Sequence, residues 1–456
     1  MASWAARGRG VSASAAQRPV QEVTVVAPVT APQAADPAPR AAVDPARVQR
    51  RTLALLFNTQ IIGGVGVAIG ISVGALLARD LAGIALSGVA QSSAVVGGAL
   101  LAVPVTRVIQ ARGRRPGLAL AYAAGALGAV LVVLATVTRS VPALFAGMFL
   151  FGGGTAANLQ ARYAAVDLAT PERRGRQLSL IVWATTIGAV AGPNLAPLAG
   201  SAVTGFGLNE LAGPFAFSAV AFALAAGVLL LWLRPDPLLV ARGLAPAPER
   251  AAGQRRPGLR EGLRAVAGNP AARLGMSAVA VGHLVMVGVM SMTPVRIGEH
   301  HTAADTLRIV GIVLSVHIVG MYAFSPVMGA LTDRLGRRPV ILGGLALLVT
   351  ACAVAGTAGH DTARLAVGLG LLGLGWSATM VAGSTLLGES VAADVRPAAQ
   401  GLSDVVMGLA GAGAGALSGV VVQTSGYPTL TLLAAVATVP LLALALRPQR
   451  TVEEVA

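Results

Sequence analysis

Lysine is absent from this 456-residue chain, acidic residues number only 19, and the single cysteine is Cys352. Without lysine the chain cannot carry the G-x-x-x-x-G-K-[ST] loop that cradles nucleotide phosphates, so we expect no nucleotide cofactor and no ATP-driven work by this chain alone. A lone cysteine excludes an internal disulfide. Charged residues make up 12% of the chain and hydrophobic residues 55%, a balance that excludes a set of soluble domains.

Long apolar runs take the place of the missing charge, and the mean hydropathy is +0.73. A helix needs about 20 apolar residues to cross a hydrocarbon core of about 30 Å. The runs are apolar on all sides, without the alternation of barrel strands, so we predict an all-α integral membrane protein. Twelve runs have the required length, near 53–78, 83–107, 117–138, 142–165, 178–202, 211–233, 271–295, 308–332, 339–359, 364–388, 400–423 and 428–446.

All 34 basic residues are arginines, and they lie mostly on one side of this layout. The exceptions are five: Arg79, Arg139, Arg296, Arg308 and Arg364. Cytoplasmic loops of membrane proteins carry such an excess. The pattern predicts a multi-pass protein of the plasma or inner membrane with both termini in the cytoplasm. The net charge of +15 therefore belongs to arginines placed along one side of the lipid bilayer, and we expect no nucleic-acid partner.

The longest polar break inside the chain separates six spans from six. We therefore predict a six-helix bundle over 51–233, a cytoplasmic linker over 234–270 and a second bundle over 271–446. Cytoplasmic tails would cover 1–50 and 447–456. The first tail is rich in Ala, Pro and Arg, a composition typical of disorder.

The two halves echo each other in sequence. "ARGRRPGLAL" follows the second span and "RLGRRPVILG" follows the eighth, with Gly113 and Gly336 lying 223 residues apart. "ERRGRQLS" opens the fifth span and "VRPAAQGLS" the eleventh, with Ser179 and Ser403 lying 224 apart. Two echoes at nearly one offset indicate duplication. Paired six-helix repeats are typical of transporters that rock around a central site.

The stretch "GALTDRLGRRP", from Gly329 to Pro339, resembles the loop signature G-x-L-x-D-R-x-G-R-R of the major facilitator superfamily. With the topology and the repeat, the resemblance covers about 50–446. It implies the major facilitator fold, in which two bundles enclose a cavity that opens alternately to each side. We expect a monomer.

The resemblance also implies gating residues in this loop: Asp333, Arg334, Gly336, Arg337 and Arg338. The arginines would hold the helix end at the lipid headgroups. Asp333 would pack at the start of the fifth helix, near Gln177 to Leu180, while the cytoplasmic side is closed, and so act as a latch. A helix N-terminus attracts an anion by about 0.3–1 kcal/mol. The alternative is a topology anchor only.

The first-half copy of the loop departs from the family pattern. Gln110 takes the place of the acid, and Ala111 that of one arginine, while Arg114 and Arg115 are kept. The matching latch on the eleventh helix would be weakened or rebuilt, with Asp404 supplying a charge from the other side.

The fifth span contains Gly188, Gly192 and Pro193, which resemble the G-x-x-x-G-P signature of proton-coupled exporters. The small residues would allow close helix contact, and the proline would kink the helix. The match is partial, since Ala196 and Pro197 replace the usual glycine pair.

Asp and Glu are missing from the middle of every predicted span, although proton-coupled transporters usually need a titratable group in the pathway. His283, at the centre of the seventh span, and His317, in the eighth, are the candidates for the coupling proton. The alternative for each is a neutral ring bonded to a nearby backbone carbonyl or hydroxyl.

Family architecture places the first, fourth, seventh and tenth helices around the cavity. The substrate-cavity candidates are then Asn58, Asn158, Met286, Met290, Trp376 and Met380. The two methionines of the seventh span share a helix face with His283. They would form an adaptable apolar wall or mere packing, and a soft metal site is a further alternative that we do not adopt.

These features predict a secondary active transporter that exports a small amphipathic solute or drug in exchange for protons, and not an enzyme. Import or uniport of a small metabolite on the same fold is one alternative. A membrane sensor or enzyme that kept the fold and lost transport is another.

The arginine asymmetry gives a direct test of orientation. In a background without Cys352, a single cysteine at Ala303 should react with an impermeant maleimide from outside the cell. A cysteine at Gly253 should react only after permeabilisation. The reverse pattern would contradict the orientation.

Overall fold

The computed structural model describes residues 44–170, 173–244, 259–392 and 395–447. This part of the chain is helical and contains no strand, as the hydropathy pattern predicts. The first half consists of six long helices: α1 (Pro45–Ala82), α2 (Ile84–Arg112), α3 (Arg114–Thr138), α4 (Val141–Ala164), α5 (Arg174–Thr204) and α6 (Gly213–Trp232).

Two short helices follow in the linker, α7 (Pro237–Leu244) and α8 (Leu259–Gly268). The second half then contains α9 (Pro270–Ile297), α10 (Ala303–Tyr322), α11 (Ser325–Leu335), α12 (Arg337–Gly356), α13 (Thr362–Ser390), α14 (Arg396–Val436) and α15 (Val439–Leu446). The predicted tails fall mostly, and the middle of the linker wholly, outside the described residues.

The helices agree with the predicted spans except in four places, one of which is a break in the twelfth span between α14 and α15. The first helix begins at Pro45, after an Asp44 side chain that accepts a hydrogen bond from the Ala46 N–H. The eighth span is interrupted between α10 and α11. The eleventh and twelfth spans run together in α14, where Gly426 leaves helical geometry with φ 82° and divides them. A proline follows at Pro428, so the helical hydrogen bonding is broken there.

The core of the first half is built around aromatic rings. Phe151 of α4 contacts Phe215 and Phe222 of α6, with ring centroids 5.5 and 5.4 Å apart. Glycines of α1 make room for these rings: a Cβ on Gly70 would lie 2.4 Å from Phe151. In lipid, where apolar surface gains little from leaving the solvent, such close packing is what holds helices together.

We call the side of the bundle that carries the turns at Gly113 and Gly336 the motif face, and the opposite side the far face. The linker helix α7 docks on the motif face, where the Asp236 carboxylate accepts hydrogen bonds from the backbone N–H groups of Arg115 and Leu238. It thereby supplies the side-chain acceptor that the start of α3 lacks.

The two halves contact each other towards the far face. The contact is made by α2 with α14, by α5 with α10 and by α1 with α9. Hydrogen bonds join the halves there: Ser92 to the Ala412 carbonyl, Asn194 to Ser315, the Ala85 N–H to Gln423, and Arg79 to the Val295 carbonyl. The described structure is therefore closed at the far face.

Candidate gating loops and substrate pathway

The loops of the motif face make their tight turns at two glycines. Gly113 has φ 98° and Gly336 has φ 90°, values that residues with a Cβ rarely adopt. Each turn joins two antiparallel helices, α2 to α3 and α11 to α12. The same backbone geometry at equivalent positions gives structural support to the sequence repeat.

The first arginine after each glycine binds a carboxylate at the end of the fourth helix of its own half: Asp167 just after α4, and Glu389 in the last turn of α13. Arg114 makes a two-pronged ion pair with Asp167, at 2.8 and 2.9 Å. Arg337 does the same with Glu389, at 2.8 and 2.6 Å. The first pair is nearly buried, with 12% and 9% of the side chains exposed, whereas the second is 29% and 52% exposed.

The second arginine of each loop binds the end of the last helix of its half. The Arg115 Nε donates to the Leu230 carbonyl near the end of α6. Arg338 donates to the carbonyls of Ala445 and Arg447 at the end of α15. Cations suit the carbonyls at a helix C-terminus, which carry partial negative charge. These arginines thus have protein partners where the sequence suggested lipid headgroups.

Asp333 and Arg334 lie exposed near the end of α11. The start of α5, where the latch is expected, has no side-chain cap in this state. Gln177 on its first turn instead accepts a hydrogen bond from Gln49 of α1, at 2.7 Å. In the first half, Gln110 is exposed at the end of α2, and its carbonyl accepts a hydrogen bond from Arg242 of α7.

Asp404 lies exposed on the third turn of α14, in the half of that helix towards the motif face. Arg162, in the last turn of α4, acts on it electrostatically from the other half of the protein. The sequence places Asp404 in the gate but does not reveal Arg162 as its neighbour.

The glycines of α5 pack against α1. A Cβ on Gly188 would lie 2.5 Å from the Ile61 carbonyl oxygen, and one on Gly192 would lie 2.9 Å from the Val65 carbonyl oxygen. Pro193 faces the other half: its carbonyl oxygen would lie 2.9 Å from a Cβ on Gly311 of α10. The motif therefore stands where α5 contacts both α1 and the second half.

His283 joins three helices of the second half. Its Nδ1 accepts a hydrogen bond from the indole N–H of Trp376 on α13, at 3.2 Å. A Cβ on Gly411 of α14 would lie 2.7 Å from its ring. Because an indole N–H can only donate, Nδ1 carries no proton here, and the neutral ring holds its proton on Nε2.

His317 is fully buried between α10 and α13, and its Nδ1 contacts the Leu369 carbonyl at 2.8 Å. A carbonyl only accepts, so Nδ1 carries the proton. Its Nε2 is buried without a hydrogen-bond partner among the described residues. The two histidines therefore differ in tautomer and in surroundings.

The remaining cavity candidates differ in exposure. Met286 is buried in the core of the second half, and Met290 and Met380 are half-buried beside it. Trp376 is buried, and its ring stands edge-on to Tyr322, with the centroids 5.9 Å apart. Asn58 is exposed and donates to the Ala54 carbonyl of its own helix.

A polar network crosses the first half at depth, and sequence analysis found only Asn158 of it. Tyr122 donates to the Asn158 Oδ1 at 2.8 Å, and Gln60 donates to the Thr185 hydroxyl at 2.9 Å and the Asn158 carbonyl at 3.3 Å. These residues come from α1, α3, α4 and α5. Gln60 and Tyr122 stand inside apolar runs of the sequence, and their polarity was the signal that could have revealed the network.

The histidines of the far-face loops form a separate group. The rings of His300 and His360 meet edge to face, with centroids 4.1 Å apart. Partial desolvation, with His360 and Arg296 nearby, lowers the pKa of His300. Among the described residues, no cluster of three or more His, Cys, Asp or Glu side chains could hold a metal ion.

Comparison with known proteins identifies the family. The model of the Major Facilitator Superfamily matches residues 53–307 and again 299–456. The chain is 39% identical over 389 residues to the uncharacterized MFS-type transporter YdeG of Bacillus subtilis (strain 168), covering 84% of this chain and 88% of that protein. It is 37% identical over 417 residues to YddS of the same organism, covering 90% and 93%. The chain belongs to the Major Facilitator Superfamily of transporters.

Solved structures show the same fold. A bacterial homolog of the human lysosomal transporter Spinster, in an inward-facing and unoccupied conformation, aligns with a TM-score of 0.68. The identity is 14%, and the alignment covers 87% of this chain and 96% of that one. An auto-inhibited peptide transporter of the POT family aligns with a TM-score of 0.62 at 13% identity, covering 88% and 98%. The predicted family and fold class are confirmed.

The two repeated ion pairs should differ in strength because they differ in burial. Asp167→Asn leaves the nearly buried Arg114 without its counter-charge and should cost about 3 kcal/mol or more. Glu389→Gln removes an exposed pair and should cost at most about 1 kcal/mol. Melting of the detergent-solubilised protein, followed by circular dichroism, measures the difference. Equal losses of melting temperature in the two variants would contradict this ranking.

Proposed function

We propose that this protein exports a small amphipathic solute by alternating access, in exchange for protons, with both termini in the cytoplasm. The observation that carries the proposal is the position of His283. Its ring lies against Gly411 of α14, and one turn further along that helix Gly415 contacts α2 of the other half. A proton at this ring would act one helical turn from the contact that closes the far face.

The hydrogen bond between Trp376 and His283 would link protonation of His283 to the contact between the halves. A second proton on His283 would have to sit on Nδ1, the atom that accepts the indole N–H. Protonation would break that bond and place two donors against each other. Trp376 also contacts Tyr322, at the end of α10, so its release would disturb a helix that contacts α5 across the halves. Proton binding and the far-face contact are coupled in this way.

The latch would work at the motif face. When that face closes, Asp333 would approach the start of α5, where no side chain caps the backbone N–H groups. Arg337 and Arg338 are engaged within their own half, so the loop would move with its bundle as one body. Asp333 lies exposed near the end of α11, so its carboxylate would be available to the opposite half.

Transport of a larger planar solute, without a commitment on direction, is a second candidate. The riboflavin transporter RfnT of Brucella anthropi is 28% identical to this chain over 413 residues, covering 88% of this chain and 96% of that protein. The paired rings of Trp376 and Tyr322 would suit a planar ligand. Riboflavin therefore belongs in the compound panel of the flux assays below.

His283→Gln should abolish accumulation driven by a pH gradient in proteoliposomes, because a neutral amide keeps polarity at this site but cannot carry the proton. Substrate binding and downhill exchange should persist, since neither needs net proton movement. His317→Gln tests the eighth span in the same assay, and His300→Gln is the control for a solvent-facing histidine. If both His283→Gln and the double variant with His317→Gln still accumulate substrate, histidine coupling is wrong.

Asp333→Asn should weaken the state closed at the motif face and slow transport several-fold, while expression and insertion stay normal. Thiol labelling of a single cysteine at Gln177 reports the closure, because a closed latch shields the start of α5. Asp305→Asn, at the opposite side of the membrane, is the matched control. Normal flux with unchanged labelling would reduce the loop to a topology anchor.

A further inference from the structure

Arg162 is a charged group near the end of α4 that the proposed function does not use. It lies in the last turn of α4, half-buried, and its Nε is buried without a hydrogen-bond partner among the described residues. An arginine keeps its charge at any physiological pH. A buried donor without an acceptor is costly, and more so when it is charged. The site around Arg162 therefore lacks an acceptor.

Two groups of the other half lie within electrostatic range of Arg162. It acts electrostatically on Asp404 of α14 and on Tyr322 at the end of α10. It is not close enough to Asp404 to form an ion pair in this state. Arg162 thus faces the space between the halves, on the side where the far-face contacts do not close it.

An aromatic pair lies within electrostatic range of this charge. The Tyr322 ring stands edge-on to Trp376, at 5.9 Å between centroids, and the indole N–H of Trp376 is already committed to His283. Tyr322 is only partly buried, so its ring can offer a face or an edge to a ligand, while the buried Trp376 packs against it. A guanidinium next to aromatic surface suits a molecule with one anionic group and a planar apolar body.

We propose that Arg162 binds the anionic group of a small aromatic monoanion, whose ring packs against Tyr322, and that Asp404 competes with this group for Arg162. The proposal rests on the transport function proposed above and names the class of its substrate. In the empty protein, closure of the motif face would bring Arg162 and Asp404 together. A bound carboxylate would replace Asp404 as the partner.

Asp404 also sets a limit on the ligand. A second negative charge on the ligand would lie near the Asp404 carboxylate and be repelled, so dianions should bind less well than monoanions. A neutral ligand with the same ring would leave the Arg162 donors unsatisfied. Discrimination between charge states is therefore the property that separates this site from a merely apolar cavity.

Three indole compounds with nearly the same frame test the charge requirement: indole-3-acetate is anionic, indole-3-acetamide neutral and tryptamine cationic. Binding to the purified full chain in nanodiscs is measured by equilibrium dialysis, with no flux and no gradient. Indole-3-acetate should bind at least about tenfold more tightly than the other two, as expected for a hydrogen-bonded charge pair. Equal binding of the acetate and the amide, or no binding of the acetate, would overturn the proposal.

The variants should shift binding in opposite directions. Arg162→Gln should weaken indole-3-acetate binding at least about tenfold and leave the amide unchanged. Arg162→Lys, which keeps the charge, should retain part of the affinity and serves if the glutamine variant fails to fold. Asp404→Asn should strengthen acetate binding, because it removes the competitor. Arg260→Gln, an exposed arginine of α8, should bind as the unaltered protein does.

If indole-3-acetate binds a folded Arg162 variant as tightly as it binds the unaltered protein, the proposal is overturned. Weaker binding of indole-3-acetate to the Asp404→Asn variant would overturn it too. Failure of the proposed proton coupling is a separate result. It would appear as absent pH-driven accumulation in proteoliposomes, while charge-selective binding in nanodiscs stayed intact.

Discussion

The contact between the two halves at the far face depends on backbones that approach without side chains between them. A Cβ on Gly88 of α2 would lie 2.0 Å from the Gly415 carbonyl oxygen of α14, and one on Gly419 would lie 2.5 Å from the Ile84 carbonyl oxygen. Apolar burial does little to associate helices in lipid, so this approach and the few hydrogen bonds around it must hold the halves together. A contact of this kind is strong while it is in register and is lost over a small displacement. That is what a protein that alternates between two states requires.

The motif face has the opposite arrangement, with bonds inside each half, which suits the proposed mechanism because each half could keep its own shape if the halves separate. In the first half, the paired arginines after Gly113 connect α3 to the ends of α4 and α6. In the second half, the pair after Gly336 connects α12 to the ends of α13 and α15. These arginine contacts, called clamps below, join helices within each bundle, and within the described part of the chain they form no bond across the boundary between the bundles. Asp333 and Asp404 are the acids near this boundary that no clamp engages among the described residues, which makes them candidates for charges that change partner with conformation.

The sequence was sufficient for the helices, the repeat and the special turns, because each depends on a local pattern: apolar length, an offset, or a glycine in a signature. The partners of the charged residues could not be predicted. Arg114 and Asp167 lie 53 residues apart, and Trp376 and His283 lie 93 apart. Helices that are apolar on all sides show little preferred face, so the sequence does not reveal how they rotate against each other. The acids at the ends of α4 and α13, Asp167 and Glu389, are visible in the sequence, but only the structure pairs them with the loops.

The two bundles differ in the polar side chains that they bury in their interiors. The first half carries amide, hydroxyl and phenol groups, with Gln60, Tyr122 and Asn158 bonded to one another, and none of these groups gains or loses a proton readily near neutral pH. The second half carries His283 and His317, which can. A network of neutral groups would keep its charge through the proposed exchange, whereas a histidine bonded to an indole must break that bond to take a proton. In the proposed exchange the solute and the proton occupy the protein in turn, so each changes the charge beside the boundary separately. An anionic solute would neutralise Arg162 of the first half, and a proton would add a positive charge to His283 of the second. The separation of roles between the halves thus lets each passenger alter the boundary from its own side.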